Sequence, residues 1–168
     1  REKMLNTTYK TKNPLFLFNK LIGRFHSHGE LINAIHLINI FKICNMYPKT
    51  EWTLWTKNKN IIYDVILNQG YQKPKNLKLI YSNVKVNKPL TTVPNFFDGV
   101  FNVVTDDFEN ENININCFSK CAECKICYSE ELKNVEIITE RIKKSGKKLS
   151  TNETICKACY SFQYLKIR

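Results

Sequence analysis

The 168-residue chain is poor in alanine, arginine and glycine: 3 Ala, 4 Arg and 5 Gly. It contains no P-loop and no Gly-rich dinucleotide turn. Nor does it carry a Ser, His and Asp order of the hydrolase type, so kinase, dehydrogenase and hydrolase readings lack support. No apolar run reaches the roughly 18–20 residues that span a bilayer. No signal-peptide, export or lipidation pattern is present. A soluble protein of a reducing, cytoplasmic compartment with no membrane partner is expected. The first residue is Arg1 rather than Met, as in a fragment, a processed product or the ordered part of something larger.

What the chain has in quantity is apolar residues (43%), aromatics (12%) and lysine. The first two exclude intrinsic disorder, and the length suits a single domain over 1–168. The formal net charge is +11, carried by 22 Lys against the 4 Arg, beside 20 Asn and 18 Ile. AT-rich codons favour Lys, Asn and Ile, whereas a nucleic-acid surface normally also uses arginine's bidentate fork. Codon bias and a nucleic-acid footprint both remain open. The charge falls in blocks: a net of +11 over 1–97, −6 over 98–131 and +6 over 132–168.

Hydrophobic periodicity alternates between strand and helix from about residue 23 to residue 105. A strand through Gly23–Glu30 is expected to break at Gly29. A helix follows to about Met46, nearly encircled by Leu31, Ile32, Ile35, Ile38, Ile40, Phe41 and Ile43, with Asn33, His36, Asn39 and Lys42 as its polar stripe, and it is expected to be well buried. Glu51–Thr56 alternates as a strand. Ile61, Ile62, Val65 and Ile66 mark a second helix that stops at Gly70. Leu77–Val84 and Val100–Thr105 are further strands, 106–116 a loop, and Glu130–Lys143 a strand or short helix. The class is α/β, with alternating βα units over 1–105, a mostly parallel, partial-barrel-like sheet and a Cys-rich region over 106–168. Function in such sheets gathers at carboxyl strand ends. Arg24, His26, His28, Glu30, Thr56 and Lys57 are thus candidate substrate-lining residues, with Ser82 and Thr105-Asp106-Asp107 following two more strand ends.

Six of seven cysteines form two groups: Cys117-x3-Cys121-x2-Cys124-x2-Cys127, and Cys156-x2-Cys159. Such spacing turns two thiolates onto one ion, so all six are candidate metal ligands. Disulfides fit less well without an export signal. Zinc would take two separated pairs, but 28 residues lie between Cys127 and Cys156, more than the usual spacer of roughly 15–20. Iron–sulfur clusters favour a compact run like this one. Cys117-x3-Cys121-x2-Cys124 also has the spacing of the radical S-adenosylmethionine cluster motif. Cys44, within the first apolar helix, reads as a buried small hydrophobe.

The run Arg24-Phe25-His26-Ser27-His28-Gly29-Glu30 resembles the Arg-Phe-His-x-Ser-Gly-Asp strand of the phage "gene product 88" family. Trp52-Thr53-Leu54-Trp55-Thr56-Lys57 is similar to that family's strand ending in Tyr-Thr-Lys, and Cys117–Tyr128 to its cysteine-rich end. Cys156-Lys157-Ala158-Cys159-Tyr160-Ser161 resembles the family's opening motif, Cys-x-x-x-Cys-Tyr-Ala, with tighter cysteine spacing. His28 and Glu30 stand where the family has Ser and Asp. Because an opening motif lies at the end, the resemblance implies a circularly permuted or rearranged order. It also implies a likeness to partial-barrel radical S-adenosylmethionine proteins, by analogy of fold alone.

Two functions follow. One is an iron–sulfur protein, extending to a radical S-adenosylmethionine-like enzyme. The other is a zinc-clasped nucleic-acid-binding module, with basic residues 1–20 and 141–148 on phosphates. In that module Trp52 and Trp55 are either base-stacking platforms or core residues.

Overall fold

A computed structural model describes residues 21–26, 29–110, 112–117 and 124–143. Five strands cross one sheet in sequence order: β1 (Leu21–Phe25), β2 (Thr50–Thr56), β3 (Leu77–Ser82), β4 (Gly99–Thr105) and β5 (Ile137–Ile142). Every neighbouring pair is parallel. The sheet curls into a half-barrel, so the expected α/β, partial-barrel plan holds and the sheet is wholly parallel.

Asparagines set the joints. Asn33 caps α1 (Ala34–Met46), its Oδ1 accepting from the His36 amide at 2.9 Å. At the other end of α1, Asn76 donates its side-chain amide to the carbonyls of Cys44, Tyr47 and Thr50, 2.9–3.1 Å away. One side chain thereby ties the helix exit and the start of β2 to the approach of β3. Next, α2 (Lys59–Tyr63) runs on as a π-helical turn over Asp64–Asn68 and stops at Gly70, whose φ of 72° suits glycine.

The sheet is buried on both faces, as parallel sheets are. On the outer face α1, α2 and the π-helical turn pack Leu37, Ile40, Phe41, Cys44, Ile62 and Val65 onto Leu54, Leu77 and Leu79. The inner face carries Trp55, Ile80, Phe101 and Ile138. It is covered by the 3-10 turn Ile126–Tyr128 and by α3 (Leu132–Val135), through Cys127, Tyr128 and Leu132. Both tryptophans belong to these layers rather than to an open stacking surface. Trp55 lies against Phe101 with ring centroids 4.4 Å apart, and Trp52 stacks on Phe25 at 4.8 Å. The Trp52 ring also covers Gly23 so closely that a Cβ there would sit 2.2 Å from it.

Four expectations change. β1 ends at Phe25, short of Glu30, and α1 begins at Ala34. α1 is less buried than its apolar residues imply: Leu37, Ile40, Phe41 and Cys44 face the sheet, whereas Ile35 is 54% exposed. A helix lying on a sheet buries one stripe, and among the described residues no layer covers its far side. The stretch 130–143, expected as strand or helix, is both, α3 turning into β5 at Glu136 with φ 46°.

Candidate functional site

Two of the described cysteines, Cys117 and Cys127, reach the inner face, by separate routes. Asn116 clamps β5 from its far edge: its Nδ2 donates to the Ile137 carbonyl and its Oδ1 accepts from the Thr139 amide, both at 2.8 Å. The Cys117 amide then donates to the Thr139 carbonyl at 3.0 Å, pairing Cys117 with Glu140 in a parallel bridge. Cys117 is half-buried against the inner cluster, and Cys127, 8% exposed, belongs to that same cluster. Cys124 is exposed. Cys121, Cys156 and Cys159 lie outside the described residues, as do His28, residues 1–20 and 144–148, and both chain ends on which the permuted order turns. Among the described residues, no group of three or more His, Cys, Asp or Glu is gathered for a metal ion. Cys44 is fully buried on α1, where burial pushes its thiol up to about 12.

An ion pair fastens this segment to the sheet. Lys78, 5% exposed in mid-β3, reaches Glu130 at 2.5 Å, and Glu130 also takes Lys133. Hydrogen bonds from Lys133 and Lys78 hold the Glu130 carboxyl down at about 2. A lone lysine inside the apolar run Leu77–Ile80 was the sequence signal for an inner-face charge, and it was overlooked.

The strand-end candidates separate. Glu30, Thr56 and Lys57 come together, but as a clasp. Glu30 accepts from the Thr56 hydroxyl, from the Leu31 amide at 2.7 Å and from the Lys57 amide at 2.8 Å. Asn58 adds its Nδ2 to the Leu31 carbonyl at 2.7 Å. The carboxylate is thereby spent on joining the β1–α1 connection to the end of β2.

Arg24 turns to the other face, its guanidinium 4.2 Å from the centre of the Trp55 ring. Beside it in the sheet, Thr53 Oγ1 and Trp55 Nε1 are buried without a hydrogen-bond partner among the described residues. His26, in left-handed backbone with φ 57°, brings its Nε2 to within 3.5 Å of His36 Nε2. Burial lowers the pKa of both rings, and the charge of His36 lowers that of His26 further. The sequence places His36 on the polar stripe of its helix; its position beside His26 depends on a turn that periodicity does not register.

Comparison of the chain with protein-family models, with curated proteins and with solved structures finds no match.

Proposed function

We propose that the protein is a cysteine-ligated metal protein, with an iron–sulfur cluster held against the inner face of the half-barrel. The observation that carries this is that Cys117 and Cys127, on separate segments, border one buried cluster. Thiolates beside an apolar, water-poor surface suit a redox cluster, whose potential depends on solvent exposure and hydrogen bonding. Cys117, Cys121, Cys124 and Cys127 are the ligand set proposed from spacing, with Cys156 and Cys159 joining or replacing members of it. The cluster would supply the electron chemistry, and Arg24 and Trp55 lie on the same sheet face as neighbours for a substrate. The parallel half-barrel supports the likeness to radical S-adenosylmethionine proteins and to the gene product 88 family by fold analogy alone.

Anaerobic purification followed by metal and sulfide analysis and a visible spectrum tests the proposal. Brown protein with bound iron and sulfide, lost together in Cys117→Ser and Cys127→Ser variants, is the expected result. Colourless protein with stoichiometric zinc would replace the cluster with a zinc clasp. Protein that binds neither metal would overturn the proposal. If iron is present, retention of S-adenosylmethionine on dialysis tests the enzyme extension.

A further inference from the structure

Beyond Ser82 the ladder between β3 and β4 stops, its last pair being Ser82 with Phe101. Asparagine side chains take over from there. Asn83 donates to the Lys88 carbonyl at 2.8 Å and to Asn102 Oδ1 at 2.9 Å, while its own Oδ1 accepts from the Lys85 amide at 3.0 Å. Asn102, fully buried, exchanges two 3.0 Å hydrogen bonds with the backbone of Leu90. Asn87 does the same with Thr105, giving to its hydroxyl and accepting from its amide at 2.8 Å each. The connection between β3 and β4 is thus pinned along β4, residue by residue.

An open, shallow cleft of about 530 Å³ lies beside this connection at the carboxyl end of β3. Lys85 and Lys88 line it from the pinned connection and Lys59 from the first residue of α2, with Tyr81, Pro89 and Leu90 forming less polar wall. No carboxylate lines it. All three lysines are exposed, and none has an ion-pair partner among the described residues. Three like charges held around one cavity repel one another, and fixed backbone prevents two of them from separating by loop motion. An anion relieves that repulsion. Phosphate is the anion that lysine ammonium groups commonly take as point charges, and the carboxyl edge of a parallel sheet is where such ligands bind.

We propose that this cleft binds a small organic diphosphate of nucleotide size, its phosphates among Lys59, Lys85 and Lys88 and its less polar part against Tyr81, Pro89 and Leu90. The volume lies within the roughly 300–1,000 Å³ range of small-molecule sites. The site is distinct from the cysteine segment, and it stands whether or not a metal is bound there.

Calorimetric titration of the full chain with ADP, adenosine, inorganic phosphate and a short single-stranded oligonucleotide tests it. ADP should bind saturably, with affinity falling as salt rises. Adenosine and inorganic phosphate should each bind at least about tenfold more weakly. The Lys59→Gln/Lys85→Gln/Lys88→Gln variant should weaken ADP by about tenfold or more, whereas Lys42→Gln/Lys49→Gln/Lys75→Gln, equal in charge change but away from the cleft, should not. The cleft lysines are exposed and unpaired, so the first variant should melt like the parent. Absence of ADP binding up to about 10 mM, or equal loss in the two variants, would overturn the proposal. An oligonucleotide binding more tightly than ADP through the same lysines would also overturn it, in favour of a nucleic-acid surface.

Discussion

The ammonium of Lys78 and the carboxylate of Glu130, 52 residues apart in the chain, meet 2.5 Å apart at the inner face of the sheet. One member is buried and the other largely in water, at 6% and 70% side-chain exposure. The pair therefore matters less for its Coulomb attraction than for sparing Lys78 an unpaired burial. Glu130→Gln should destabilise the protein, and adding Lys78→Met to that background should restore most of the loss.

The pH dependence of that loss has a definite sign. The Glu130 carboxyl stands at about 2 in the fold, against an ordinary 4.5. Its stabilising contribution is complete above the ordinary value and fades as the pH falls from 4.5 towards 2. Denaturant titrations of parent and Glu130→Gln should therefore differ at neutral pH and converge in that acid range. An undiminished difference at the acid limit would refute the assignment.

Trp52 lies over Gly23 with no room for a methyl group between them. Gly23→Ala should destabilise by about 1–3 kcal/mol through overpacking. Replacing Trp52 by Leu should reverse part of that loss in the double variant, although Leu forfeits the stack on Phe25. Thermal melts of the four proteins in this cycle test the contact. Additive effects would show that it does not form.

The two neighbouring histidines make stability fall with acidity. Both prefer the neutral form in the fold, burial being the first cause for each. Below the ordinary imidazole value of 6.5 the unfolded chain takes up protons that the native pair resists. Melting temperature should drop as pH is lowered through that value, then level off once the native rings also protonate. In His36→Gln the drop should be smaller.

Asn102 is buried and satisfies both backbone groups of Leu90. Asn102→Leu leaves them unpaired at about 1–3 kcal/mol for each group that water cannot reach. Hydrogen exchange should show amide protection falling at Lys85 and Leu90 before it falls in β2. Loss confined to β2 would contradict the pinning role.

β3 and β4 were legible as largely apolar runs, as doubly covered parallel strands are, and β2 by the alternation of Trp52 and Leu54 against Thr53 and Trp55. Cys44 was legible for a similar reason, lying inside an apolar helix. α1 misled because some of the residues read as encircling it, Ile32 and Ile35 among them, are apolar at positions left exposed. Isoleucine at exposed as well as buried positions blurs the stripe that periodicity depends on. β5 was half-legible: its residues carry Glu140 and Arg141, and its place is defined by β4 and the Asn116 clamp rather than by its own pattern. At the candidate sites, cysteine spacing was visible in one dimension, but the Glu30 clasp, the His26–His36 approach and the lysine cleft all arise from side chains brought together by turns. Periodicity carries no information on those.

The strand order has a consequence for how the chain is made. Each strand from β2 onward pairs with the one synthesised just before it, so a sheet edge is always waiting for the next βα unit to leave the ribosome. The closing steps reach farther back across the sheet: the Cys127 turn over Trp55 and Ile80, and Glu130 to Lys78. Until they occur, the apolar inner face of a nascent sheet lies open, and that interval is when the chain is most exposed to association with other chains.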